Sequence, residues 1–181
     1  MKGKTEMKPI ACSCGGLHSR RGFLGLSLGA AAFAAMPGSA LAAKGESEFM
    51  LLSCMDPRLV HAVHEQMEAR KLRDEYSQVA LAGGPAAAVA PAFKKWQYAV
   101  WDNLGVTIQM HQIKRVFGLT HLDCAAVRVA YGNDAVLPAM ERATHIRILR
   151  AFRAEVVKRH PALGCETGIM SLDGAIEMIA S

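Results

Sequence analysis

Phe49-Met50-Leu51-Leu52-Ser53-Cys54-Met55-Asp56-Pro57-Arg58 is the stretch that decides the fold. Phe49 to Ser53 is a short, dominantly apolar run of strand length. Such a run, with no polar alternation, suits a strand covered on both faces, as in a parallel sheet with helices on each side. Asp56-Pro57 has the form of a helix N-cap followed by proline at the first helical position. Cys54 therefore stands where a buried strand gives way to a helix.

Working outward, the pattern predicts a helix through Val63, Met67 and Leu72, then a second strand from Tyr76 to Ala82 that Gly83-Gly84-Pro85 interrupts. Pro91 starts a helix whose stripe is Phe93, Trp96, Val100 and Leu104, and Gly105 fits its C-terminal stop. Ile113 to Leu119 reads as a third strand, with His121 in the turn after it and Cys124 at the next helix start. A long helix from Asp134 to Arg159 carries Leu137, Met140, Ile148, Phe152 and Val156, and Pro161 lies just past its end. Glu166 to Leu172 and Ala175 to Ile179 flank Asp173-Gly174, a dipeptide that favours a tight hairpin. Strands and helices in this alternation imply an α/β domain with right-handed crossovers and a mostly parallel sheet. Helices cover both faces, and the last hairpin adds an antiparallel C-terminal edge strand.

The chain has 181 residues, 51% of them apolar, and a formal net charge of +5. That length suits one compact domain. Ser19-Arg20-Arg21-Gly22-Phe23-Leu24 opens an alanine-rich apolar run ending in Pro37-Gly38-Ser39-Ala40-Leu41-Ala42, the layout of an export signal with the paired arginines of the twin-arginine route. Residues 1–42 are thus expected to be a twin-arginine signal peptide and 43–181 the folded domain. Its partner would be the twin-arginine export machinery and its destination the periplasm or another exported location. Lys2, Lys4, Lys8, Arg20 and Arg21 against Glu6 give the signal +4 of the +5, leaving about +1 for the domain. No basic stripe with interleaved aromatics remains, which argues against nucleic acid as a partner. No glycine-rich phosphate loop follows any strand, which argues against a nucleotide.

Cys54, Cys124 and Cys165 remain in the domain, an odd number that cannot complete a disulfide framework. In an open α/β sheet, ligands collect beyond the carboxyl ends of the strands, where the strand order reverses. If the first and third strands are neighbours, Cys54, His121 and Cys124 converge there. Two thiolates and an imidazole suit Zn²⁺, and three protein ligands leave a fourth position for water or substrate. A helix N-terminus beside Cys124 favours its thiolate. The plain alternative is two buried thiols and a turn-capping imidazole.

Cys54-Met55-Asp56-Pro57-Arg58 and His121-Leu122-Asp123-Cys124 resemble the C-x-D-x-R and H-x-x-C motifs of the β-class carbonic anhydrases, and the resemblance runs from about Phe49 to the C-terminus. It implies a sheet in the order 2-1-3-4. It also implies Cys54, His121 and Cys124 as zinc ligands and Asp56 with Arg58 as the catalytic dyad. The implied activity is reversible hydration of carbon dioxide to bicarbonate by a zinc-bound hydroxide, in a homodimer or higher homo-oligomer. The alternatives on the same fold are hydrolysis of carbonyl sulfide or carbon disulfide, or a non-catalytic zinc-binding module. Gln78 to Gly84 departs from the family, which usually has an Arg-Asn-Ala-Gly segment there. The domain would also lack the family's N-terminal helical arm.

His61, His64, His111, His145 and His160 read as surface or turn residues, any one of which could relay a proton from the site. The scattered methionines read as core filling and Cys165 as a buried free thiol.

Overall fold

A computed structural model describes residues 47–180. The expected signal peptide over residues 1–42 lies outside the described residues. Five strands form one sheet in the order β2-β1-β3-β4-β5. They are β1 (Phe49–Cys54), β2 (Tyr76–Leu81), β3 (Arg115–His121), β4 (Gly164–Met170) and β5 (Ile176–Met178). β1 runs parallel to both β2 and β3, β3 parallel to β4, and β5 antiparallel to β4. The expected order 2-1-3-4 with an antiparallel edge strand is the order observed. Among the described residues, no helix is long and apolar enough to cross a membrane.

Every residue of β1 is buried, so its side chains alternate between two apolar layers. On one face Phe49 and Leu51 pack with Val63 and Met67 of α1 (Val60–Ala69), Phe117 and Leu119 of β3, and Val127 of α4 (Ala125–Tyr131). On the other, Met50 and Leu52 pack with Val100 and Leu104 of α3 (Lys94–His111) and with Phe152 and Val156 of α5 (Pro138–Arg159). Burying each such side chain contributes about 1.5–3 kcal/mol. β1 thus anchors both layers, and its carboxyl end is held firmly.

Several elements differ from expectation, each for a physical reason. α3 does not stop at Gly105 but continues to His111 and ends at Gln112, whose φ is 51°. A mid-helix glycine costs only about 1 kcal/mol, and burial of Leu104 and Thr107 on either side of it carries the helix through. α1 ends at Ala69, before Leu72, because the chain turns at Lys71 (φ 60°) and the Leu72 N–H bonds back to the Met67 carbonyl. The long helix starts at Pro138 rather than Asp134. Proline pushes the residue before it out of the helical region, and Leu137 is extended there (φ −70°, ψ 139°), with a 3-10 helix over Asn133–Val136 preceding it. Leu137 and Met140 are consequently exposed. A short helix that the pattern did not signal, α2 (Pro85–Val89), buries Pro85, Ala86, Ala87 and Ala88. β3 and β4 each lie two residues from the predicted spans, β3 later and β4 earlier, so His121 is the last residue of a strand and not part of a turn.

The sheet divides at its carboxyl edge. β1 pairs with β2 as far as Cys54↔Leu81 and β3 with β4 as far as His121↔Met170, but β1 and β3 stop at Leu52↔Gly118. The backbone of Gly84 occupies the gap. A Cβ there would lie 2.9 Å from the Leu119 carbonyl oxygen and from the Ser53 carbonyl carbon, and 3.0 Å from the Cys54 nitrogen. Its φ of +52° is a second reason for glycine. Gly84→Ala is therefore expected to destabilise the fold by on the order of 3 kcal/mol. Gly105→Ala, where a Cβ meets nothing within 4 Å, should stabilise it by about 0.5–1 kcal/mol. Urea midpoints at constant m-value measure both.

Candidate metal centre

Cys54 ends β1, His121 ends β3, and Cys124 is the N-cap of α4. Parallel neighbours finish at the same edge, so the two strands and the helix start deliver three soft donors to one place. Their ligand atoms all lie within 4.8 Å of one another and all three residues are buried. The Cys54 and Cys124 sulfurs are 3.9 Å apart, and both are free thiols. Two Zn–S bonds of ~2.3 Å at a tetrahedral angle place sulfurs roughly 3.8 Å apart, so the pair fits one ion. His121 Nδ1 lies 2.7 Å from the Leu122 carbonyl oxygen. A carbonyl only accepts, so Nδ1 carries the proton and Nε2 is left with its lone pair. Nε2 is buried and has no hydrogen-bond partner. An orphaned imidazole nitrogen beside two thiols is the donor set of a borderline-soft divalent cation.

The electrostatics point the same way. Cys124 lends its S–H to Cys54, and this, against the cost of burial, holds the Cys54 thiol far below its usual range, with help from His121 and the Gly83 N–H. That N–H lies 3.3 Å from the Cys54 sulfur. Cys124, facing the resulting thiolate and itself buried, is pushed up despite the free N–H groups of Ala126 and Val127 at the start of α4. Burial opposes charge on His121, but the Cys54 thiolate outweighs it and raises the imidazole. Without a cation the cluster favours one thiolate and resists the second. A divalent ion removes that conflict.

Asp56 and Arg58 meet beside the triad. Arg58 Nε donates to Asp56 Oδ1 at 3.0 Å and Nη2 to Oδ2 at 2.8 Å, a two-pronged contact. The Arg58 backbone N–H also donates to Oδ1, which makes Asp56 the N-cap of the 3-10 helix Pro57–Leu59. The guanidinium holds the Asp56 carboxyl down at about 2, so it is ionised at neutral pH. Asp56 Oδ2 lies 3.9 Å from His121 Nε2. A cleft of about 370 Å³ reaches Cys54 between α1 and β2, with Leu59, Val63, Tyr76, Gln78 and Ala80 in its walls. Gln78 and Ala80, from the stretch Gln78 to Gly84, thus lie on a wall of that cleft.

Three residues matter here that pattern reading did not single out as contributors. Asp123, with φ 54°, accepts from Arg58 Nη1 at 2.7 Å. Glu141, in the first turn of α5, accepts the Asp123 N–H at 2.5 Å. His145 is corrected from a surface or turn residue to a fully buried one, and neither ring nitrogen has a partner. Burial, and then repulsion from the His121 ring whenever that ring is protonated, lowers its pKa to about 4. The signal was available, since His145 falls three before Ile148 and seven before Phe152 on the buried stripe of α5. For Asp123 and Glu141 no local signal exists.

No family model matches the chain. An uncharacterized protein of Rickettsia bellii (strain RML369-C) is 30% identical over 136 residues, covering 74% of this chain and 82% of the relative. An uncharacterized protein of Rickettsia conorii is 29% identical over 135 residues, covering 74% and 73%. Among solved structures, the β-carbonic anhydrase CafA of Aspergillus fumigatus aligns at a TM-score of 0.45 and 14% identity over 77% of this chain and 78% of that one. A tetrameric β-carbonic anhydrase of Sordaria macrospora aligns at 0.48 and 13% over 77% and 84%.

The triad yields a stoichiometric expectation. The full chain should hold one zinc per chain by elemental analysis, and Cys54→Ser, Cys124→Ser and His121→Ala should each lower its affinity by at least about 100-fold. Full retention of zinc in any of the three would exclude that residue as a ligand.

Proposed function

This chain belongs to one family with the uncharacterized Rickettsia bellii protein, and from its own residues we propose that it is a zinc-dependent carbonic anhydrase, hydrating carbon dioxide reversibly to bicarbonate. The observation that carries the proposal is the meeting of Cys54, His121 and Cys124 with an Arg58-held Asp56 beside them, 3.9 Å from His121 Nε2. Two separate motifs, 65 residues apart at Arg58 and Asp123, join there.

Cys54, His121 and Cys124 would hold the ion, and three protein donors leave one coordination position for solvent. Zinc in such a site supplies Lewis acidity, lowering the pKa of water to ~7. The remaining chemistry belongs to the chain. Asp56, ionised and acceptor-only, takes a hydrogen bond from the attacking water and so turns its lone pair toward the substrate carbon. Arg58 occupies both carboxylate oxygens, which fixes that acceptor and opposes its migration to the metal. The Leu122 carbonyl fixes the His121 ring, and the Gly83 N–H supports the Cys54 sulfur. The cleft beside Cys54, with the apolar Leu59, Val63 and Ala80 and the polar Ser53, His64 and Gln78 in its wall, has room for a small molecule.

The proposal includes export. The leader Ser19-Arg20-Arg21-Gly22-Phe23-Leu24 supports twin-arginine transport, a route for folded cargo, and that order of events lets zinc load while Cys54 and Cys124 are still thiols. It includes a homo-oligomer as the working form. Cell fractionation should find the protein in the periplasm, and light scattering should give a mass above one chain. A cytoplasmic monomer would remove both parts.

The enzymatic part is tested by stopped-flow hydration of carbon dioxide with the zinc-loaded full chain. Turnover above buffer is expected, with Asp56→Asn lowering kcat about 100-fold while zinc content stays at one per chain. A folded, zinc-replete protein with no rate above buffer sinks the activity, and faster turnover of carbonyl sulfide would reassign the substrate.

A further inference from the structure

Arg58 uses four of its five N–H donors, and only two of them on Asp56. Nη1 donates to Asp123 Oδ2 at 2.7 Å, and Nη2, shared with Asp56 Oδ2, also donates to the Asp123 backbone carbonyl at 3.0 Å. Asp123 follows β3, so this contact ties the end of β3 to the segment that leaves β1. The residue is itself held from outside. Its φ of 54° is a left-handed turn, its N–H is taken by Glu141 Oε1 of α5, and Arg128 Nη2 approaches its other oxygen at 3.5 Å. The carbonyl just before it, of Leu122, is the one that orients His121. One two-residue turn therefore sets both the imidazole and the guanidinium.

Asp56 and Arg58 are two residues apart on one segment, with the Arg58 side chain 42% exposed and the Asp56 side chain 14%. The two-pronged contact orients the guanidinium on Asp56, but nothing within that segment ties the pair to the end of β3. The Asp56 carboxylate is at the same time close to the donor set, with Oδ2 3.9 Å from His121 Nε2. What holds the guanidinium across it comes from the other strand end.

We propose that Asp123 is a positioning residue whose carboxylate pins Arg58 against Asp56 and so keeps the fourth coordination position of the metal centre open to outside ligands. Without Asp123, Arg58 loses its second anchor and Asp56 turns in to fill that position. The inference rests on the zinc-site reading above but not on turnover.

The test uses the full chain loaded with Co²⁺, titrated with thiocyanate and followed by visible absorption, which reports on the ligands of the ion. Asp123→Gly keeps the left-handed turn and the backbone carbonyl but removes the anchoring carboxylate. It should bind one cobalt per chain, show an altered spectrum, and weaken thiocyanate at least tenfold. Adding Asp56→Asn, which replaces the invading carboxylate by a poor ligand, should restore thiocyanate affinity to within about twofold of Asp56→Asn alone. Thiocyanate binding in Asp123→Gly equal to that of the unaltered chain overturns the proposal, as does weakening that Asp56→Asn does not reverse. If Asp123→Gly does not retain cobalt, Asp123→Asn keeps the turn and the volume, and at least threefold weakening is expected there. Unchanged affinity in that variant overturns the proposal equally. An unaltered chain that follows this thiocyanate series yet hydrates no carbon dioxide would sink the proposed activity and leave the role of Asp123 standing.

Discussion

β1 and β3 run side by side in the same direction and then separate, and the rest of the site depends on that separation. Their pairing ends at Leu52↔Gly118 while each goes on pairing with its outer neighbour. A crevice therefore opens between two strand ends that are each rigidly held, with Cys54 on one side and His121 on the other. Strand direction alone places both at the same edge, and the buried faces of β1 fix the register that points them there. Gly84 lines the crevice with backbone only, because any side chain would collide with Leu119, Ser53 and Cys54. The preceding N–H, of Gly83, is thereby aimed at the Cys54 sulfur.

The donors gathered in that crevice do not suit one another without a cation. Two thiols at 3.9 Å share charge poorly, since ionising Cys54 opposes ionising Cys124. Folding therefore brings together groups whose full ionisation a cation would favour, and a cation held there would link its binding to folding. The same economy of space governs the polar rim. The Leu122-Asp123 turn serves the imidazole through one carbonyl and the guanidinium through the next, so the orientation of His121 and the geometry at Asp56 are not independent.

Most of the fold was legible in the chain because β1, β2 and the terminal hairpin carry strong local signals: an unbroken apolar run, a strand closed by Gly83-Gly84-Pro85, and Asp173-Gly174. The Asp56 cap was legible for the same reason, as its side chain bonds two residues ahead. At Gly105 and His145, burial overrode local preference. Gly105 reads as a stop, yet buried neighbours carry α3 past it. His145 reads as polar surface, yet its place on the apolar stripe of α5 buries it completely. Asp123 is an acid in a turn until Arg58, 65 residues earlier, is brought to within 2.7 Å.

The amino-acid sequence by itself determined the donor types, their positions at the ends of apolar runs, and the parallel α/β layout, because residue chemistry and hydrophobic period are local properties. Only the tertiary structure decided that β1 and β3 part before their last residues, that Gly84 fills the gap, that Arg58 divides its donors between Asp56 and Asp123, and that Glu141 backs the turn. Each of these is a contact between segments far apart in the chain. Such contacts follow from how both sheet faces pack at once, which no single stretch of sequence encodes.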